Sequence, residues 1–125
     1  MAEKIYTENA PAAIGPYSQA VVAGGMVYTS GQIAIVPASG NIEASDIQGQ
    51  TTQVMENLKN VLAASGSSFD KVIKTTCFLA DIADFGAFNE IYGKYITGKP
   101  ARSCVAVKDL PKGALVEVEV IAELG

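Results

Sequence analysis

Residues 19–23 and 26–33 are two apolar runs separated only by Gly24-Gly25. A two-residue connection favours one geometry, a tight antiparallel hairpin whose central residues take positive φ, and glycine reaches that region without steric cost. The chain is thereby committed early to a sheet. Residues 72–79 add a strand by alternation, with Ile73, Thr75, Cys77 and Leu79 expected on one face and Lys74, Thr76 and Phe78 on the other. Residues 115–123 add another, in which Val116, Val118 and Val120 alternate with Glu117 and Glu119, so the two carboxylates share a face. Residues 3–7 suit a short first strand, residues 9–16 read as a Pro/Gly-punctuated loop, and Pro37 and Gly40 suit a type I turn.

Between the strands lie two helical patterns. Ser45 or Asp46 is an N-cap for a helix to about Ser65, ended by Gly66. Its Ile47, Thr51, Val54, Leu58, Val61 and Leu62 form one stripe, while Gln50, Gln53, Glu56, Asn57 and Asn60 are expected outside. Asp81 or Asp84 opens a second helix to about Thr97, with Phe85, Phe88, Tyr92 and Tyr95 on one face and Gly98 after it. The order β-ββ-α-β-α-β-β predicts an α+β fold, two helices on one face of one sheet. The opposite sheet face then carries Val, Thr and Phe with nothing of its own chain to cover it. With 49% hydrophobic and only 18% charged residues, the chain is expected to cover that face with copies of itself.

At 125 residues the sequence reads as one domain over residues 1–125, with no repeat or linker. Nine basic residues without a run, and a net charge of −4, argue against a nucleic-acid partner. No apolar stretch is long enough to span a membrane and the start lacks a signal peptide's apolar segment, so the cytoplasm is the expected location. Cys77 and Cys104 lie inside predicted strands and suit buried, reduced thiols. There is no histidine, which removes Ser-His and Cys-His nucleophilic pairs and the commonest metal ligand. Chemistry is left to carboxylates, hydroxyls, Arg, Lys, backbone groups and water, with no metal or cofactor expected.

Residues 100–105, Pro-Ala-Arg-Ser-Cys-Val, read as the start of a buried strand entered through Pro100. A guanidinium there requires an anionic partner. Either Glu117 or Glu119 supplies it within the chain, or a ligand carboxylate does, and the planar fork of Arg102 suits a bidentate carboxylate. If the face of Glu117 and Glu119 lines a cleft, one of them is a candidate base for water. Cys104 shares the face of Arg102, where its backbone groups can matter more than its unactivated sulfur. Tyr17 is held in a rigid loop that could close over a ligand, Gly31 permits close backbone approach after Ser30, and Asn89 lies on the second helix.

Taken together, residues 9–20 (NAPAAIGPYSQA), 29–33 (TSGQI), 74–79 (KTTCFL), 88–92 (FNEIY) and 100–105 (PARSCV), followed by 115–119 (LVEVE), resemble the Rid family, also called YjgF. The resemblance covers nearly the whole chain. It implies a chorismate-mutase-like α+β fold assembled as a homotrimer with clefts between subunits. It also implies hydrolysis of reactive 2-enamino or 2-imino acids, such as 2-aminoacrylate and 2-aminocrotonate, to 2-oxo acids and ammonia without a cofactor. Such enzymes clear reactive intermediates of pyridoxal-phosphate-dependent dehydratases, the setting of isoleucine biosynthesis. By the same resemblance, Arg102 holds the substrate carboxylate and Glu117 positions or activates water. Cys104 contacts ligand and water through its backbone, and Tyr17, Ser30, Gly31 and Asn89 complete the cleft. A non-catalytic sensor of 2-oxo acids would use the same Arg102 clamp, and some relatives are credited with ribonuclease or chaperone-like roles.

Overall fold

The computed structural model describes residues 2–125. A six-stranded sheet forms from β1 (Glu3–Ile5), β2 (Ala20–Ala23), β3 (Met26–Thr29), β6 (Val72–Leu79), β7 (Ala101–Ala106) and β8 (Val116–Glu123), in the spatial order β1-β2-β3-β8-β6-β7. A separate two-stranded ribbon, β4 (Ile35–Val36) and β5 (Asn41–Ile42), follows the first hairpin. The helices are α1 (Ile47–Ala64) and α2 (Phe85–Tyr95). All pairings in the large sheet are antiparallel except β6 with β7. That one parallel pair is joined through α2, as a parallel connection requires a crossover.

The Gly24-Gly25 hairpin forms as expected, with φ of +58° and +78° at the two glycines. Asp46 is the N-cap of α1 and accepts the Gly49 amide at 3.1 Å. Gly66 follows the helix at φ +83°. Asp81 caps a short 3-10 turn, Ile82–Asp84, from which α2 continues to Tyr95, two residues short of the sequence expectation. Both helices lie on one face, where Val54, Met55, Leu58, Val61 and Leu62 meet Cys77, Leu79, Phe88, Val116, Val118 and Val120 in the core. The Tyr95 hydroxyl donates to Glu56 Oε2 at 2.9 Å and ties the two helices together.

Three expectations are corrected. Ile73 does not join Thr75, Cys77 and Leu79: a register shift between Val72 and Lys74 turns it out to solvent and buries Val72 instead. Gln50 and Asn57 are buried rather than outside. Each serves backbone that no strand partners. Gln50 donates to the Ala44 carbonyl and accepts the Leu115 amide, and Asn57 donates to the carbonyls of Ile33 (3.1 Å) and Ile35 (2.9 Å). Helical periodicity sees their polarity and cannot see those distant orphan groups. Third, β7 is not a buried strand; it is the sheet's outer edge, and Arg102, Ser103 and Val105 are exposed.

The face away from the helices is open. Lys74, Thr76 and Phe78 of β6 lie opposite Ile121, Glu119 and Glu117 of β8, and Tyr28 lies opposite Ile121. On the β7 side, Ser103 and Val105 pair with Thr76 and Phe78. Among the described residues no helix is long and apolar enough to cross a membrane.

Truncating Asn57 leaves two buried carbonyls without donors, which costs about 2–3 kcal/mol. Urea unfolding of Asn57→Ala is therefore expected to show a clearly lowered midpoint with an unchanged slope, whereas Lys59→Ala, two residues along on the exposed side of the helix, leaves the midpoint in place.

Candidate functional site

A cavity of about 560 Å³ opens beside β8, and Tyr17, Ser30, Gly31 and Glu117 are in its wall. Its origin is local. After Thr29, strand β3 leaves β8, and the Thr29 hydroxyl takes the Val120 amide at 3.0 Å in place of a backbone carbonyl. The chain rejoins β8 at Gln32, which exchanges two backbone hydrogen bonds with Val118, at 2.8 and 3.1 Å. Ser30 and Gly31 span the gap, directly against Glu117. A methyl group on Gly31 would collide with the Glu117 carboxylate. Gly31 is outside the left-handed region, so it is needed here for space and not for its backbone freedom.

The opposite wall is the loop before β2. Gln19 is fully buried and fastens that loop: its amide nitrogen donates to the carbonyls of Thr7 (3.0 Å) and Pro11 (2.8 Å), while its oxygen accepts the Thr7 amide at 2.7 Å. The Ser30 hydroxyl donates to the Ser18 carbonyl at 2.6 Å, joining the two walls. Tyr17 stays 53% exposed at the rim, close to Ile14. Gln19 is a residue that sequence reasoning missed, since a glutamine leading into a strand carries no signal of the loop carbonyls it must reach.

Glu117 is half-buried, and burial pushes its carboxyl above the ordinary range, with the neighbouring Glu119 charge adding to the rise. A carboxylate raised in this way is a stronger base near neutrality than a free one. Lys112 also lines the cavity, in a left-handed conformation (φ 57°).

Arg102, Asn89 and Cys104 lie elsewhere. Arg102 pairs in register with Thr75, and Cys104 with Cys77, which puts both on the helix side of β7. Glu117 pairs with Phe78 on the open side of β8, and β6 runs between. The guanidinium donates to Asn89 Oδ1 at 2.6 Å and lies 5.4 Å from the Phe85 ring centre and 5.0 Å from that of Tyr92. The intrachain ion pair with Glu117 or Glu119 does not form; opposite faces of the sheet forbid it. Cys104 is half-buried rather than buried. Burial raises its thiol pKa, Arg102 opposing, and burial pushes the Cys77 thiol up to about 12. Neither sulfur is set up as a nucleophile. Among the described residues no cluster of metal-ligating side chains occurs.

The candidate residues thus separate into a carboxylate pocket and an arginine rim on opposite faces of one sheet. With these geometries in hand, the sequence pattern of the Endoribonuclease L-PSP family matches residues 7–124. The chain is 51% identical over 123 residues to the RutC family protein PH0854 of Pyrococcus horikoshii, covering 98% of both. It is 48% identical over 122 residues to the 2-iminobutanoate/2-iminopropanoate deaminase of Rattus norvegicus, covering 97% of this chain and 89% of that one. Among solved structures, E. coli TdcF with bound serine matches with a TM-score of 0.93 at 43% identity, over 98% of this chain and 99% of the other.

Two outcomes follow from the pocket. The raised Glu117 carboxyl opposes folding once ionised: the penalty is absent below the unfolded value of about 4.3, grows as pH rises from there to the folded value, and is complete above it. Glu117→Gln is expected to melt above the parent at pH 7, the gap closing at low pH; equal melting temperatures at both pH values would contradict the burial argument. Gly31→Ala pushes the carboxylate off its position, and a displacement near 1 Å costs about 10²-fold in turnover of whatever reaction uses it.

Proposed function

The chain belongs to the Endoribonuclease L-PSP (Rid, YjgF) family, and from that premise we propose that it hydrolyses 2-enamino and 2-imino acids to 2-oxo acids and ammonia. The observation that carries this reading is the pairing of two incomplete half-sites. One is an exposed guanidinium that, among the described residues, donates its hydrogen bond to a neutral amide and pairs with no carboxylate. The other is a largely apolar pocket with a single carboxylate in its wall. An arginine of this kind selects a small carboxylate, and a raised Glu117 selects a reaction that needs a modest base.

In the proposed mechanism Arg102 holds the substrate carboxylate and leaves the adjacent C=N carbon over Glu117. An enamine first gains a proton at its β-carbon and becomes the iminium. Water, oriented by Glu117, adds to the iminium carbon while the carboxylate takes its proton. That proton then passes to the amino group of the tetrahedral adduct. Its C–N bond breaks as the hydroxyl gives its proton to the regenerated Glu117 carboxylate and its oxygen re-forms the carbonyl, releasing ammonia and the 2-oxo acid, and Glu117 then returns that proton to solvent. The electrophile is already activated, so positioning supplies most of the rate and no nucleophilic side chain is required.

Arg102 and Glu117 are on opposite faces, so one chain cannot present both to one small ligand. The reading therefore requires that the arginine rim of one copy close over the pocket of the next. A head-to-tail arrangement of this type closes into a ring, and a homotrimer would give three equivalent clefts. The open sheet face, with Phe78, Ile121, Tyr28 and Val105, is the apolar surface such an assembly would cover. Phosphodiester cleavage is served less well: Lys112 is the one cation in the pocket wall, and the chain has no histidine and a net charge of −4.

Coupled to a dehydratase, the protein is expected to lower the imine trapped by semicarbazide and to speed oxo-acid release; unchanged trapping would turn the reading toward a 2-oxo-acid sensor. Arg102→Ala and Glu117→Gln are each expected to lose turnover while keeping their oligomeric state. Unfolded together and refolded as a one-to-one mixture, they should recover about a quarter of parental activity, because one cleft in four joins both intact residues from different copies. No recovery would place the two residues' action within single chains and sink the assembly.

A further inference from the structure

The sequence singles out Arg102, yet the structure sets beside it two aromatic rings that no reading of the cleft employs. Phe85, Asn89 and Tyr92 stand at positions i, i+4 and i+7 of α2, one continuous face, and that face is turned to β7. The Tyr92 hydroxyl, in turn, is hydrogen-bonded at 2.8 Å to the hydroxyl of Thr75, which is wholly buried on β6 directly opposite Arg102 in the register. We propose that Phe85 and Tyr92 are positioning residues: a two-ring platform, rooted in the core through Thr75, that fixes the Arg102 guanidinium for a ligand carboxylate.

An arginine on an exposed edge strand samples many rotamers, and that freedom is lost when it grips a ligand. Two rings within cation–π distance remove much of it beforehand without touching the charge. Asn89 occupies one of five N–H groups with a neutral acceptor, so the cation keeps both its charge and its free edge. A carboxylate at position 89 would orient the guanidinium equally well and would neutralise it. Finally, a tyrosine hydroxyl inside a core is costly unless paired, and Thr75 is the partner that lets a ring with a polar tip stand there.

This inference rests on the proposed binding of 2-imino and 2-oxo acids through Arg102, and its test separates the two. The full-length protein is titrated calorimetrically with 2-oxobutanoate, and imine turnover is followed in parallel. Tyr92→Leu is expected to raise Kd and KM by about five- to tenfold with kcat held within twofold, and Tyr92→Phe to recover most of that loss. Phe85→Leu, at a partly exposed ring whose removal does not threaten folding, is expected to act in the same direction, with Phe85→Tyr restoring binding. Thr75→Val is expected to weaken binding although it lies beneath the platform, and to add little in a Tyr92→Phe background, since the Tyr92 hydroxyl is the near partner of Thr75 and its other contact is the long one from the Cys77 thiol at 3.9 Å. Asn89→Asp is expected to weaken binding more than any of these. If Phe85→Leu and Tyr92→Leu bind 2-oxobutanoate like the parent while Arg102→Ala does not, the platform is overturned and the functional reading stands. If Arg102→Ala also binds like the parent, both fall.

Discussion

The two-residue period of β8 is the constraint on which this structure depends. Val116, Val118, Val120 and Ala122 point into the core beneath the helices, so Glu117 and Glu119 must point the other way. A shift of one residue would bury two carboxylates and expose the valines, at a cost no marginally stable domain survives. The acid of the pocket is therefore located by hydrophobic burial on the far side of its own strand. The same strand carries the Val118 backbone groups that catch Gln32 and press Gly31 against the carboxylate. Core packing and pocket geometry are two consequences of one register.

Buried amides do the complementary work. Gln19, Gln50 and Asn57 are nearly or fully inaccessible, and each reaches backbone groups in segments that belong to no large strand. The loop before β2 and the segment between β3 and α1 are both shaped this way. Such side chains let irregular chain stand still beside a cavity, since orphan polar groups would otherwise be held only by water. The pocket wall is fastened in this way, even though two of its members, Tyr17 and Ile14, are largely exposed.

The arginine and the pocket carboxylate are held apart. The open face of the sheet offers carboxylates and apolar side chains at Glu117, Glu119, Phe78 and Ile121, whereas the edge strand offers a cation backed by aromatic rings. The arginine's side-chain partner is a neutral amide and the pocket wall holds no arginine, so neither half carries both groups. The separation also explains why Arg102 stays free of its own carboxylates: β6 stands between them.

Much of this was legible from residues alone. Turn chemistry at Gly24-Gly25, the stripe of α1 and the Val/Glu alternation of β8 are local patterns, and local patterns survive into the fold because backbone sterics and burial act residue by residue. Candidate residue types for a site were legible too, since a chain without histidine leaves arginine and glutamate few competitors. What tertiary structure alone decided is where those residues stand relative to one another. The register shift that expels Ile73, the edge position of β7, the inward turn of Gln50 and Asn57, and the placement of Arg102 and Glu117 on opposite faces all depend on partners distant in sequence. A single strand records which of its side chains share a face; only the pairing of strands determines which face meets the helices, and which is left for another molecule.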